Sequence, residues 1–345
     1  MSQRASAFLQ ERALRRAQPL SALLELTYAC NWRCVFCYNP RHHDKRRLDG
    51  DEWRAVIDDL RELGTLNVTL TGGEPLTHPQ AFEVMAAVRS RAMTFRLFTN
   101  GSLVTDDVAR RLAELRPVAV ELSLHGARPE THDRTTATPG SFDALWRGVA
   151  ALKRHAVPTI LKTPLTRINE HELDEMVALT EREGIPYNLD AMLTHRDDGD
   201  PGPLQFSMTR EGFARYYALL ARRNQIPTSH RTPGGVNCGL GRTTLAVDPE
   251  GFVYPCPQWR KSSLGNVRET RLLHLWKSSA VRLEAAEVAN KANDALLAAG
   301  GPMARFPFCP AVAQERTGDP VHADPLHLAE AEAAERARLG AATGT

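Results

Sequence analysis

The chain is expected to be α/β: a partial (β/α)6 barrel followed by a small C-terminal module. Three observations predict this. From about residue 20 to 195, short apolar runs alternate with longer amphipathic segments. A polar, turn-rich stretch, Arg196-Asp-Asp-Gly-Asp-Pro-Gly-Pro203, ends that alternation. Beyond Cys238 the pattern changes to two short β-type runs around a turn.

The strand candidates are 22–27, 67–71, 95–99, 118–124, 159–164 and 187–193. Helical patterns lie between them at 51–63, 79–91, 106–115, 142–155 and 170–183. Strands alternating with helices form parallel sheets with right-handed crossovers. Such runs curl into a barrel or part of one, with reactive groups at the C-terminal ends of the strands. After the break comes one helical pattern, 210–223. The runs 244–247 and 252–254 flank Asp248-Pro-Glu-Gly251, a hairpin signal. Short helices are expected at 272–277 and 280–298. The resulting division is an N-terminal helical extension (1–19), a core barrel (20–200), a bridging helix and linker (201–234), a second module (235–320) and a flexible tail (321–345). The tail is rich in Ala, Glu and Arg and shows no face for a partner.

The 345 residues are 42% hydrophobic and 24% charged, with a formal net charge of +2. That balance points to neither nucleic acid nor a membrane surface. No apolar run approaches the roughly 18 residues a span needs, and the N-terminus lacks the apolar core of a signal peptide. A cytoplasmic protein is expected. In a reducing compartment cysteines bind metals or catalyse more often than they pair. The six cysteines fall as three and three, Cys30, Cys34, Cys37 and Cys238, Cys256, Cys309, which suggests two metal sites.

Cys30-Asn-Trp-Arg-Cys34-Val-Phe-Cys37 follows the first strand. Read alone, Cys34-Val-Phe-Cys37 fits a redox C-x-x-C, and the trio with His42 fits a zinc knuckle. Three thiolates on one loop also fit three corners of a cubic iron–sulfur cluster. The fourth iron is then left open, as a reaction centre needs and an electron carrier avoids. The C-x3-C-x2-C spacing, with Phe36 just before the last cysteine, resembles the radical S-adenosylmethionine (radical SAM) superfamily. Thr71-Gly-Gly-Glu-Pro75 at the end of the second strand strengthens the resemblance, because a zinc knuckle predicts neither this motif nor the βα series. Adjacent glycines let backbone approach closely.

The resemblance implies a partial (β/α)6 TIM-like barrel with a small C-terminal Fe–S module. It also implies a SAM-binding 4Fe–4S cluster on Cys30, Cys34 and Cys37, and a methionyl amine held by Gly72, Gly73, Glu74 and Pro75. Asn100, in Phe98-Thr-Asn-Gly101, resembles a family corner, though a turn or cap explains it equally. Ser123, at the fourth strand end, is placed for the cofactor ribose or has a structural role. Lys162 sits amid apolar residues, where an unpaired lysine is costly; it meets the methionyl carboxylate or a core carboxylate. Asp190, on the sixth strand, is a substrate contact or proton acceptor, or a solvated strand end. The basic run Arg41–Arg47 reads as a solvated loop, and Cys238-Gly-Leu-Gly-Arg242 as a phosphate loop only superficially.

Cys238-x12-Gly251-x4-Cys256, Leu264-Gly-Asn-Val267 and Leu272-Leu-His-Leu-Trp276 resemble the SPASM and twitch extensions of the same superfamily. The full SPASM pattern continues with four more cysteines, and here Cys309 alone remains. One auxiliary 4Fe–4S cluster is therefore expected. Asp319 stands where the last cysteine would be and is a candidate fourth ligand; the alternatives are a plain turn there, with the fourth iron open to substrate.

The resemblance implies an enzyme that cleaves SAM to a 5′-deoxyadenosyl radical for hydrogen abstraction. The expected substrate is a ribosomally made precursor peptide. The expected reductant is a flavodoxin or ferredoxin. The leader is expected to be read by a separate leader-binding protein or by the module, since residues before 20 leave no room for a leader-binding domain. A twitch-type dehydrogenase and a tetrapyrrole-modifying enzyme are the alternatives within the superfamily. Sulfatase-type maturation is disfavoured by Pro257, where an aspartate would stand. A non-catalytic electron carrier or sensor would need a fourth cysteine in the first loop, which has none.

Overall fold

The structure, a computed structural model, describes residues 3–343. Its elements run in chain order α1 (Gln3–Arg16), β1 (Ser21–Glu25), α2 (Gly50–Leu63), β2 (Asn67–Thr71), α3 (Ala81–Ser90), β3 (Thr94–Thr99), α4 (Asp106–Leu115), β4 (Ala119–Ser123), α5 (Pro129–Thr136), α6 (Ser141–Arg154), β5 (Thr159–Pro164), α7 (Leu173–Glu183) and β6 (Tyr187–Asp190). There follow α8 (Arg210–Arg222), β7 (Thr244–Val247), β8 (Phe252–Tyr254), β9 (Gly265–Asn266), α9 (Leu272–Ser278), α10 (Ala280–Ala299), α11 (Pro310–Thr317) and α12 (Pro325–Thr343).

One sheet holds all nine strands in the order β6-β5-β4-β3-β2-β1-β7-β8-β9. Strands β1 to β6 are parallel neighbours in sequence order, so their C-terminal ends share one edge. The ladder is open, with β6 and β9 at its two margins. The hairpin of the second module is not a separate layer. Its first strand, β7, pairs parallel with β1, with Leu23 beside Ala246, and β8 then pairs antiparallel with β7.

Buried side chains explain this arrangement. Leu24, Leu70, Leu97, Leu122, Leu161 and Leu245 sit fully buried on adjacent strands, and the helices cover them with Trp53, Ile57, Met85 and Leu152. The module is pinned to the barrel from outside. Trp276 donates its indole N–H to the carbonyl of Ala17 at 2.7 Å. Arg268 forks onto Glu52 at 2.6 and 3.1 Å.

Two expectations are corrected. The tail is not loose: α12 lies on α8, with Ala331 and Ala334 buried. Arg338 donates to the carbonyl of Pro227 at 2.6 Å. An alanine stripe has little apolar contrast, so it does not read as a buried face, but it lets a helix approach the rings of Tyr216 and Tyr217 closely. The basic run 41–47 is also a clamp rather than a free loop. Asp44 accepts from Thr27 Oγ1 at 2.6 Å and from the Tyr28 N–H at 2.7 Å. Arg41 pairs with Glu250 of the module and covers the Tyr28 ring.

Candidate functional site

The loop after β1 carries the first three cysteines. Its backbone is fixed locally: the Cys37 N–H donates to the carbonyl of Cys34 at 3.1 Å, and the N–H groups of Arg33 and Val35 donate to carbonyls at the end of α5. Burial pushes all three thiols up, Cys37 to about 12. Cys30 and Cys37 both act on Cys34, so the three sulfurs converge. Thiols this far above neutral pH lose their protons only to a strong positive partner, which suits a metal cluster. The charges acting on His42 are those of Arg33, Arg196 and His43.

Gly72 and Gly73 lie against this loop. The Gly73 N–H donates to the Thr27 carbonyl at 2.6 Å and the Glu74 N–H to the Ala29 carbonyl at 2.8 Å. A Cβ on Gly73 would lie 2.3 Å from the Ala29 oxygen, and Gly72 has φ +131. Both positions therefore require glycine. Glu74 is fully buried. It accepts from Thr99 Oγ1, the Asn100 N–H and the Leu76 N–H at 2.8, 2.8 and 3.1 Å. Burial nonetheless pushes it up to about 7. Pro75 opens the short 3-10 turn that follows. Asn100 donates to Asn31 of the cysteine loop at 2.8 Å, and its side chain also reaches Cys30.

Phe36 lies edge-on to His125 with ring centres 5.0 Å apart. Ser123 and Lys162 are register partners on β4 and β5. The Lys162 ammonium sits 4.7 Å from the centre of the Phe98 ring, so an aromatic face takes the place of the expected core carboxylate. Asp190 ends β6, half-buried, and accepts from the Met192 N–H at 3.1 Å. These residues all lie at the C-terminal ends of the parallel strands.

The second trio converges from three separate segments. Cys238 precedes β7, Cys256 follows β8, and Cys309 caps α11. Cys238 and Cys309 both act on Cys256, and Cys238 acts on Cys309; burial pushes Cys256 to about 12 and Cys309 to about 11. Leu240, Trp259 and Ala289 pack round them. Arg231 and Arg242 act on Cys238 in the direction that favours thiolate. Among the described residues no group of three or more His, Cys, Asp or Glu closes on a single ion. Three buried thiols acting on one another form, in both places, the donor set that an iron–sulfur cluster takes.

Asp319 does not join this trio. It is half-exposed, accepts from the Val321 N–H at 2.9 Å, and pairs with His322 at 2.7 Å. Of the two readings of Asp319, these contacts are those of a turn residue. The carboxylate whose charge reaches Cys309 is Glu315, half-buried and pushed up to about 7 by burial.

Sequence reasoning missed the link between the two sites. Arg260, a few residues past Cys256, is buried and pairs with Glu25 of β1 at 2.9 Å and with Asp197 at 3.3 Å. The Asp197 N–H donates to the carbonyl of Tyr38, next to Cys37. Burial works against the Arg260 charge, but Glu25 and Asp197 hold it well up. Glu25, a charge inside an apolar strand, was the one visible signal. A larger cavity, about 660 Å³ between α2 and α9, lies on the outer face and contains none of the strand-end residues.

An open parallel sheet with a three-thiol loop at its C-terminal edge, beside a second thiol trio, defines an iron–sulfur protein with two cluster sites. Residues 24–180 match the model of the Radical SAM superfamily, and residues 238–296 match an iron–sulfur cluster-binding domain, SPASM. The chain belongs to the radical SAM superfamily and carries a SPASM domain. These domains imply a 4Fe–4S cluster, SAM and an auxiliary iron–sulfur cluster.

Among curated proteins it is similar to the mycofactocin maturase MftC of Mycobacterium tuberculosis, 30% identical over 69% of this chain. The chain spans 64% of the length of that relative. It is 27% identical to the PqqA peptide cyclase of Rhizobium meliloti, over 76% of this chain and 74% of that protein. It is 26% identical to the AdoMet-dependent heme synthase of Methanosarcina barkeri, over 74% and 82%. Its fold matches Streptococcus suis SuiB bound to precursor peptide SuiA with TM-score 0.64, at 14% identity over 81% of this chain and 70% of that one. No helix among the described residues is long and apolar enough to cross a membrane.

Proposed function

We propose that this protein is a radical SAM maturase that modifies a ribosomally synthesised peptide in the cytoplasm. The observation that carries the reading is the joining of the two cysteine trios within one sheet, through Arg260, Glu25 and Asp197. The similarity to a peptide cyclase supports the peptide as substrate. When bound, the first cluster and SAM supply a 5′-deoxyadenosyl radical for hydrogen abstraction.

The chain's residues do the rest. Cys30, Cys34 and Cys37 hold the first cluster. Gly72, Gly73, Glu74 and Pro75 seat the methionyl amine, Ser123 meets the ribose and Lys162 the carboxylate. Phe36 and Asn100 fix the loop and the cofactor beside it. Cys238, Cys256 and Cys309 hold the auxiliary cluster. Asp190 is a contact on the substrate side. Buried aromatic groups such as Trp32, His125 and His132 keep water from the site. A flavodoxin or ferredoxin supplies the electron, and a separate protein or the SPASM module itself reads the leader.

The test is anaerobic incubation of the reconstituted enzyme with SAM, reductant and a short peptide encoded beside its gene. The expected result is 5′-deoxyadenosine in step with a mass change in the peptide. Deoxyadenosine with an unaltered peptide would favour the second reading, a tetrapyrrole substrate, which the heme synthase similarity supports.

A further inference from the structure

A cavity of about 270 Å³ opens between the end of β6, α8, the segment before α11 and the tail helix α12. It falls just below the usual range of ligand-site volumes, roughly 300–1,000 Å³, which suits one side chain rather than a whole peptide. Cys309 forms part of its wall, so an occupant would sit beside the auxiliary cluster. Four rings line it: Tyr216, Tyr217, Phe306 and Phe308.

Its polar groups are acceptors. Asp190 and Glu330 both face it, and Glu330 is only 6% exposed. The Tyr217 hydroxyl donates to Glu330 at 3.3 Å. His327 is 2% exposed and also lines the cavity. Its Nδ1 is paired with Asp324, while its buried Nε2 has no partner. The charges close by are three carboxylates, Asp190, Glu330 and Asp324, against one guanidinium, Arg316. That guanidinium is turned to Asp324 and to the Leu193 carbonyl. Buried carboxylates without a counter-ion are costly. Burial pushes Glu330 up to about 7, with Asp190 and Asp324 acting the same way and Arg316 and the Tyr217 hydroxyl acting against them.

We propose that this cavity binds a cationic side chain of the substrate peptide, with the ammonium or guanidinium of a lysine or arginine between Asp190 and Glu330 and its stem against the rings. The proposal rests on the peptide reading and narrows it to a basic residue presented next to Cys309. Acceptors on one side and aromatic faces on the other select a cation twice over, by hydrogen bonding and by the ring quadrupoles.

The probes are the N-acetyl methylamides of lysine, norleucine and tyrosine. Each is titrated by saturation-transfer NMR into the reconstituted two-cluster protein. Lysine is expected to bind about tenfold tighter than norleucine. The double variant Asp190→Asn, Glu330→Gln should erase that preference. Should the double variant misfold, Glu330→Gln alone, which keeps the shape and the Tyr217 contact, should lower it about threefold. Equal binding of the three probes, preference for tyrosine or norleucine, or no binding overturns the proposal. None of those results touches the peptide reading, which stands on modification of the precursor. An unmodified precursor with the lysine preference intact would sink that reading and keep the cation site.

Discussion

The two cysteine trios are built in opposite ways. Cys30, Cys34 and Cys37 lie within one loop whose geometry is set by its own turn and by α5. Cys238, Cys256 and Cys309 come from three segments that meet only when β7 joins β1 and α10 and α11 pack round them. The first site is local and the second is a product of tertiary structure. A local site can be assembled early and tolerates distant change. The second inherits every weakness of the packing around it.

The largest test of that contrast replaces each trio with alanine. Wild type should hold about eight irons in two 4Fe–4S clusters, and either triple variant about half. The consequences should then diverge. Without Cys30, Cys34 and Cys37, no 5′-deoxyadenosine forms. Without Cys238, Cys256 and Cys309, some uncoupled 5′-deoxyadenosine persists while product is lost. The second variant should also lose more stability in denaturant, because cluster binding there contributes to holding three chain segments together. Product from the second variant, measured by mass spectrometry, would reduce the auxiliary site to a structural role.

The next effect falls on the junction. Arg260→Met leaves Glu25 and Asp197 buried without a counter-ion, with Glu25 Oε2 and Asp197 Oδ2 already unpartnered. Removing one member of such a group costs about 3–5 kcal/mol, read as a shift in denaturation midpoint. Neutralising all three, Arg260→Met with Glu25→Gln and Asp197→Asn, should recover most of it. A loss below about 1 kcal/mol for the single variant would show that the junction does not join the modules energetically.

What could be read in advance follows the same division. Cys30, Cys34, Cys37, Gly72 and Gly73 were legible because short spacings encode local geometry, and the glycines have a steric reason to be there. Residues 25, 197 and 260 share no local pattern; only folding brings them together. The addition of β7 to β1 was hidden likewise, since a hairpin signal says nothing about which edge it extends. The tail was missed because alanine faces carry little hydrophobic contrast. Asp319 was singled out by its place in a cysteine pattern, and spacing alone does not say which way the turn at Gly318 aims it.

A smaller effect separates the local site from its cofactor. Glu74 is raised from 4.5 to about 7 by burial. A carboxyl raised on folding favours the folded state below its unfolded pKa. That contribution is lost as pH rises through the folded value. Wild type without SAM should therefore lose stability between about pH 4.5 and 7 from this group, on the order of 3 kcal/mol in all. Glu74→Gln should lack that component of the slope, whereas Glu315 and Glu330 keep theirs. Saturating SAM should flatten the wild-type slope as well, because an ammonium beside Glu74 draws its pKa back down. An unchanged slope on adding SAM would place the amine elsewhere.

The smallest effect is a near-zero one. Asp319 sits in an exposed turn with His322, and its substitution by alanine should change stability by no more than about 0.5 kcal/mol. If the auxiliary cluster takes no ligand from this turn, its resonance spectrum should be the same in wild type and Asp319→Ala. Glu315→Gln is the matched variant: it keeps the shape but removes a carboxylate charge that acts on Cys309, so the spectrum should shift. The opposite pattern, a spectrum altered by Asp319→Ala and indifferent to Glu315→Gln, would mean that the loop 318–322 swings inward when the cluster assembles. The second site would then be shaped by its metal, and the contrast with the preformed first loop would be greater still.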